Sequence, residues 1–506
     1  MKHPQSDDSQ ADDKPHYDVV IIGGGINGCG IARELAAKGY SVYLAEARDL
    51  SSGTSSWSTK LIHGGLRYLE HYEFRLVREA LRERETLMKM APHLIHPLRF
   101  ILPHLPSMRP KWLLRLGLFL YDNLGGRQKL AGSHSINLKQ DEAGRILKPE
   151  FTSAFEYSDC FVDDNRLTIL NARAAQNYGA VIQPYNAVLS AQKTENGWQI
   201  KTEKQSITAS LIINAAGPWA DQVRSLSGRS SNDKKLRLVR GSHIITDKKF
   251  DHDRAYIFQN SDGRILFAIP YLDDYTLFGT TDVDHEDSPD APEISDAEID
   301  YICAEVSHYL KQAITPEDVR FTYSGVRPLY DDGASQAQSA TRDYVLGYEE
   351  DTNDSWLNIF GGKLTTYRKL AKAVSAKIEN ILPAPSNNEA GASYLPGGNM
   401  ANGDFSAFLT SVQREFPTID DTRLRRMAKA YGTEIYSILG NANEPADEGI
   451  DFGCGLYQAE VDFLIAHEWA KTADDILMRR SKLGYQFNDQ QRRTLSDYLA
   501  SHPALS

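Results

Sequence analysis

Cysteine is scarce: four residues in 506, at positions 29, 160, 303 and 454, with no C-x-x-C pair. That spacing excludes a disulfide framework, a cysteine zinc site and an iron–sulfur cluster, and fits a reducing compartment. Positive charge is also short. Lys and Arg number 56 against 68 Asp and Glu, giving a net charge of −12 and excluding a globally basic nucleic-acid binder. No run approaches the roughly 18–20 apolar residues needed to span a bilayer. The start, MKHPQSDDSQADDKPH, lacks the apolar core of a signal peptide and reads as a flexible tail over 1–16. No internal repeat is present. What remains is ordinary globular composition, 41% hydrophobic and 25% charged, long enough for two to four domains.

The first ordered unit predicts nucleotide binding. Tyr17–Ile22 is a β-branched apolar run that reads as a strand buried on both faces. It leads into Gly23-Gly24-Gly25-Ile26-Asn27-Gly28, then into a helical pattern through Ile31, Ala32, Leu35 and Ala36 that ends at Gly39. A second strand, 41–45, closes with Glu46. Gly23 and Gly25 let the backbone approach a pyrophosphate, Gly28 lets helix and strand pack closely, and the helix N-terminus offers N–H donors to phosphate. Glu46 stands where an acid accepts hydrogen bonds from ribose hydroxyls. The motif alone does not separate FAD from NAD. Its N-terminal position and the lack of a second G-x-G-x-x-G downstream favour FAD, reduced directly by substrate.

Further segments carry a family resemblance. They are 55–70 (SSWSTKLIHGGLRYLE), Tyr157-Ser-Asp-Cys160, 211–220 (LIINAAGPWA), Val239-Arg-Gly-Ser-His243, Gly279-Thr-Thr-Asp282, Gly325-Val-Arg-Pro328, Thr341-Arg-Asp-Tyr344 and 360–368 (FGGKLTTYR). Together, from about Tyr17 onward, they closely resemble the aerobic FAD-dependent glycerol-3-phosphate dehydrogenases. The resemblance implies an α/β fold: an FAD-binding Rossmann-like domain, an antiparallel β-rich substrate domain and a C-terminal helical domain. It implies oxidation of sn-glycerol 3-phosphate to dihydroxyacetone phosphate by hydride transfer to flavin N5. Electrons would pass to ubiquinone or menaquinone from a peripheral position on the cytoplasmic face of the inner membrane. Cofactor contacts are expected at Gly23, Gly25, Asn27, Gly28, Glu46, Ser55, Ser56, Lys60, His63, Gly217, Gly362, Lys363 and Leu364. No metal ligand set is expected.

A phosphate dianion needs converging cations, and arginine suits it because its fork binds two oxygens at once. Substrate candidates are Arg67, Tyr68, Arg327, Arg342, Lys363 and Thr365. The Gly-Gly turn at 361–362 precedes a helical run whose N-terminus would favour negative charge on a reduced flavin, with Thr365 or Thr366 as a cap. The hydroxyl proton needs an acceptor. His63 and His243 are the candidates by residue type, and Arg327 is the candidate to stabilise an alkoxide without a dedicated base.

Arg99–Lys129 carries six basic residues against one acid, Asp122. From Pro110, Lys111 and Arg115 share a helical face, while Trp112, Leu113, Leu116, Phe119 and Leu120 cover much of the rest. That is the pattern of an interfacial helix on an anionic membrane surface. Expected boundaries are 17–90, 150–235 and 325–385 for a discontinuous FAD domain, 91–149 for the membrane-facing segment, 236–324 for the substrate domain and 400–506 for the helical domain, whose roles include a possible homodimer contact. A turn- and Pro-rich linker is expected at 382–392. The other readings are a soluble glycerol-3-phosphate oxidase using oxygen, an amine oxidase of similar architecture, and a non-catalytic flavin-binding protein.

Overall fold

A computed structural model describes residues 14–106, 108–227, 235–260, 262–331, 343–349, 352–353, 355–383, 385, 394–442 and 444–505. Residues 1–13 of the expected tail, most of the 382–392 linker, and Arg342 lie outside the described residues. The first strand starts at His16, one residue inside the expected tail.

The first sheet has a parallel centre in the order Trp356–Phe360, Ser206–Asn214, His16–Ile22, Val42–Ala45 and Val181–Gln183. Both faces are covered, which is why its strands are continuous apolar runs rather than alternating ones. Val19 and Ile21 pack beneath the helices Ile26–Ala37, Asp164–Asn177 and Tyr367–Ile378. Val20 and Ile22 face the other way, against Tyr43, Trp198 and Trp356.

The second sheet is almost entirely antiparallel. Ala255–Gln259, Ile265–Tyr271 and Tyr275–Gly279 form the successive hairpins expected from their Asp-Gly and Asp-Asp turns. The long strand Leu236–Asp247 lies between Tyr275–Gly279 and Val319–Tyr330. The sheet draws on far more than 236–324. Ile95–His104 joins it through a parallel pairing with Ala255–Gln259, followed by Ser153–Val162 and Leu61–Ile62. The segment expected to be only membrane-facing therefore contributes a central strand, since Ile101 and Leu102 are core residues. By local propensity Pro97 and Pro103 favour broken chain here, yet both sit within the strand, paired opposite Cys160 and Ala154; tertiary packing outweighs their turn propensity. Within that segment Lys111–Leu124 forms an α-helix, starting directly after Pro110.

The C-terminal region closes its own core from helices including Phe405–Glu415, Asp421–Tyr431, Gln458–Glu468 and Asp489–Ser501. It is clamped to the first layer by a buried ion pair. Arg166 Nη2 donates to Glu468 Oε1 at 2.9 Å, a second guanidinium N–H meets the other carboxylate oxygen, and Arg166 Nε donates to the Ala430 carbonyl at 3.0 Å. Both side chains are wholly excluded from water. Removing the charge of one partner strands the other. Glu468→Gln is expected to lower stability by about 3 kcal/mol or more, read as a drop in Tm by calorimetry of the holoprotein; a Tm within a degree of wild type would show that the pair does not hold the regions together.

Candidate active site

A cleft of about 480 Å³ opens at the carboxyl ends of the parallel strands, where open α/β sheets bind ligands. Gly23, Gly25, Asn27, Glu46, Ser55, Gly217, Gly362, Lys363 and Leu364 all line it. Its backbone is shaped for close approach. Gly23 has φ of 116°, and a Cβ there would sit 2.6 Å from the Ala215 carbonyl oxygen. A Cβ on Gly28 would sit 1.9 Å from the Gly23 carbonyl oxygen, so Gly28 serves the packing of helix on strand rather than the cleft itself. The N-terminus of Ile26–Ala37 lies at the cleft and its N-cap residue, Gly25, has no side chain to cap it, so first-turn N–H groups beyond that of Ile26 are left to a ligand. Ser55 Oγ accepts from the Ile26 N–H at 3.0 Å. Glu46 accepts from the Gly24 and Arg48 N–H groups at 2.6 and 2.9 Å, which fixes its orientation while burial pushes its carboxyl up from the usual range. At the rim, the Arg48 guanidinium stacks on Trp219 at 4.4 Å, and Trp219 Nε1 donates to Asp290 at 2.9 Å.

The Gly361-Gly362 turn reaches the cleft from the opposite side. Asn27 Nδ2 donates to the Gly361 carbonyl at 3.1 Å, and Asn27 Oδ1 is buried without a partner. Gly362 has φ of 100°, and a Cβ there would lie 2.8 Å from Asn27 Nδ2. The turn leads into a 3₁₀ segment, Leu364–Thr366, ahead of Tyr367–Ile378. Neither threonine caps that helix with its side chain. Thr365 Oγ1 instead accepts from the His63 N–H at 3.4 Å. Lys363 Nζ lies 4.4 Å from the Tyr68 ring centroid. His63, Tyr68, Lys363 and Thr365 thus meet from two distant parts of the chain.

A second group forms on the adjoining sheet. Arg327 is held by Asp282 through an ion pair, by the Thr281 carbonyl at 3.3 Å and by Thr280 Oγ1 at 3.0 Å. Gly241 opposite it leaves the room its guanidinium needs; a Cβ there would lie 2.3 Å from Nη2. His243 is buried and stacks on Tyr323 at 4.6 Å, its Nε2 is 3.0 Å from Thr59 Oγ1, and its Nδ1 has no partner. Burial, with Arg327 and Lys60 adding to it, holds the imidazole well below its usual pKa. Val326 and Pro328 flank Arg327: the Val326 carbonyl accepts from Thr54 Oγ1 at 2.5 Å, and Pro328 lines the cleft. Arg67 extends toward the hairpin turn at Gly263 and has no ion pair among the described residues.

Four expected cofactor contacts are not among the cleft-lining residues: Gly28 and His63, placed above, and Ser56 and Lys60. Ser56 accepts from Asn165 Nδ2 at 2.6 Å inside the protein. Lys60 pairs with buried Asp164 at 2.9 Å and lines a different cavity. Both sit in a loop rich in small polar residues, where sequence does not show which groups turn inward. Asp282, Thr280, Thr59, Arg48 and Trp219 were not singled out individually. Asp282 and Thr280 carry a signal as members of Gly279-Thr-Thr-Asp282, Thr59 as a member of 55–70 and Trp219 of 211–220, whereas Arg48 lies outside every such segment.

The glycine turns, the uncapped helix start and the acid ending the second strand fit a dinucleotide. Residues 18–368 match the family model described as FAD dependent oxidoreductase, and 357–500 match the C-terminal domain of alpha-glycerophosphate oxidase. The chain is an FAD-dependent oxidoreductase. It is 44% identical over 494 residues to a glycerol-3-phosphate dehydrogenase of Pseudomonas aeruginosa, covering 96% of each chain. It is 43% identical over 496 residues to the aerobic glycerol-3-phosphate dehydrogenase of Escherichia coli, covering 96% of this chain and 97% of that one. A D-erythritol 1-phosphate dehydrogenase of Brucella abortus is 44% identical over 487 residues, covering 95% and 97%. The crystal structure of the glycerol-3-phosphate dehydrogenase from Bacillus halodurans, complexed with FAD, aligns with a TM-score of 0.73 at 26% identity over 97% of this chain and 95% of that one. The chain belongs to the aerobic FAD-dependent glycerol-3-phosphate dehydrogenase family.

The tightest constraint in the cofactor turn is the contact beneath Gly28. Gly28→Ala is expected to yield protein with less than about a tenth of the wild-type flavin per chain, read from the ratio of absorbance near 450 nm to that at 280 nm. Full flavin content would show that the turn relaxes around a methyl group.

Proposed function

We propose that the enzyme oxidises sn-glycerol 3-phosphate to dihydroxyacetone phosphate and passes the electrons to a membrane quinone. The observation that carries this reading is Arg327, set beside a cleft-lining residue and held by one displaceable carboxylate, with Lys363 of the Gly-Gly turn packed against Tyr68 of the 55–70 segment. Bound FAD supplies the two-electron acceptor for the hydrogen on C2. Arg327 exchanges Asp282 for the phosphate, and its fork takes two oxygens at once. Lys363 adds a second charge, and the Tyr68 hydroxyl and Arg67 complete the clamp. Arg342 is proposed for the same clamp on the resemblance alone. His243 is neutral at working pH, as an acceptor of the C2 hydroxyl proton must be, and its Nδ1 is the atom free to take it. His63, beside Thr365, is the alternative acceptor, and Arg327 opposes charge left on the oxygen.

A second substrate is favoured by a specific observation. The relative from Brucella abortus acts, by its name, on D-erythritol 1-phosphate, a longer polyol phosphate with the same anionic end. A phosphate clamp alone does not separate the two, so the length of the polyol pocket decides.

For membrane contact, the support is the helix Lys111–Leu124. Trp112 is 69% exposed, Phe119 58% and Leu116 48%, an apolar stripe on a surface helix. Arg115 is less available to lipid than its spacing implied, because its guanidinium donates to Ser133 O and Oγ at 2.8 and 3.0 Å. Among the described residues no helix is long and apolar enough to cross a membrane.

Under anaerobic conditions, glycerol 3-phosphate is expected to bleach the flavin absorbance near roughly 450 nm, and a quinone analogue to restore it faster than air. Restoration faster by air would make the enzyme an oxidase; bleaching by D-erythritol 1-phosphate but not glycerol 3-phosphate would reassign the substrate. Arg327→Ala should raise KM at least about tenfold with FAD retained, consistent with loss of a charge-assisted bidentate contact. Separately, Leu116→Asp with Phe119→Asp should release the enzyme from vesicles containing anionic lipid. Continued co-sedimentation would remove this helix from the membrane contact.

A further inference from the structure

The C-terminal helices do more than close their own core. Where they meet the second sheet, they enclose a cavity of about 800 Å³ that shares no lining residue with the flavin cleft. That volume falls in the range of small-molecule sites. Its polar lining is unbalanced. His93 is fully buried, and neither ring nitrogen has a partner. Arg423 and Arg480 spend their terminal nitrogens on Glu448 and Asp49, yet the Nε–H of each is buried and unpaired. Lys482 is nine-tenths buried, 3.9 Å from Asp163 and hydrogen-bonded to the neutral side-chain oxygen of Asn165, and burial pushes its pKa down to about 8. On the helix Asp421–Tyr431, Arg425 and Lys429 stand one turn apart, with no ion pair among the described residues.

These leftover groups are of one kind. The two Nε–H groups, Lys482, Arg425 and Lys429 are N–H donors, and the neutral imidazole of His93 carries one ring N–H; a buried unpaired donor is unfavourable until something accepts from it. Five acids also line the cavity: Asp251, Asp253, Asp273 and Asp420 are exposed to water, and the partly buried Asp163 is the one near Lys482. Aromatic surface is added by Phe161, Tyr271 and Tyr275 of the second sheet and by Tyr457, whose ring lies 4.2 Å from the Arg423 guanidinium.

We propose that this cavity binds a small anion, a phosphate monoester or a carboxylate, whose charged end meets Arg423, Arg480, Lys482 and His93 and whose planar or apolar body lies on the aromatic surface. The site is independent of the reading given for the flavin cleft. It couples the C-terminal region to the flavin-side loop through Lys60, which also lines the cavity and pairs with Asp164. Ligand here would therefore stabilise the contact that holds the two regions together.

The test is calorimetric titration of the holoenzyme with phenyl phosphate, with inorganic phosphate and benzoate as comparison probes. Phenyl phosphate is expected to bind at two sites per chain, one lost in Arg327→Ala and the other weakened roughly tenfold or more by Arg425→Gln with Lys429→Gln. Inorganic phosphate should bind the second site more weakly than phenyl phosphate, for want of contact with the aromatic surface. Benzoate binding at the second site would assign carboxylates to it as well; its failure would restrict the site to phosphates. Because Arg425 and Lys429 are exposed, their replacement should leave the fold intact; Lys482→Gln provides a second variant within the cavity and should weaken the same site. A single site in wild type, abolished by Arg327→Ala, would overturn the proposal. So would a second site indifferent to the helix pair and to Lys482→Gln. Two sites persisting in Arg327→Ala would instead overturn the phosphate clamp and leave the cavity site standing.

Discussion

The architecture turns on the buried polar start of the helix Asp164–Asn177. Asp164, Asn165 and Arg166 have no exposed surface, and each ties down a different part of the chain. Asp164 takes Lys60 Nζ and the Ser58 hydroxyl at 2.7 Å, pinning the loop that runs beneath the flavin cleft. Asn165 reaches Ser56 in the same loop and accepts from Lys482 of the C-terminal region. Arg166 pairs with Glu468. Charges buried this deeply persist only when each is paired and hydrogen-bonded, because desolvation rivals their attraction. The consequence is specificity of arrangement. A shifted C-terminal region would leave Arg166 alone in the interior, so one docking geometry is strongly preferred.

That constraint also explains how the two sheets share a site. The 51–60 loop is held from below by Asp164 and Asn165, and from the side by the strand Val319–Tyr330. Tyr323 donates to the Ser58 carbonyl at 2.9 Å, and its ring packs against Trp57 and His243. The same strand carries Arg327 four residues on, so its place relative to the cofactor turn is set by strand register rather than by a flexible loop. Sites built on such elements hold their geometry more closely than sites on loops alone.

How much of this was legible in the sequence depends on the range of the interaction. The dinucleotide unit was readable nearly to the residue, because strand, turn, helix and strand are consecutive and each glycine answers a local steric demand. The hairpins of 255–279 were readable for the same reason. The central strand Ile95–His104 was not. Its partners lie about 55 and 155 residues further along the chain, and Pro97 and Pro103 sent the local signal the wrong way. Lys60 and Ser56 show the same limit at the level of one side chain. They sit among cofactor-lining neighbours, yet face inward because Asp164 and Asn165 are there, and nothing within ten residues announces that. The meeting of Lys363 with Tyr68 was legible only through family resemblance.

The pairing of Arg327 with Asp282 bears on how the site would act. A guanidinium only 32% exposed would be poorly solvated alone, and Asp282 removes that penalty in the free protein. A phosphate dianion offers more charge and a better match to the fork than one carboxylate oxygen. Exchange is then favourable, but only by the difference between two ion pairs, not by the full strength of one. Under the proposed reaction such an arrangement binds substrate modestly and lets product leave, since both carry the same phosphate. Affinity common to substrate and product does not accelerate the step between them. Under the proposed reaction discrimination must therefore come from groups that sense C2, the role proposed for the buried His243, whose imidazole lies in the field of Arg327.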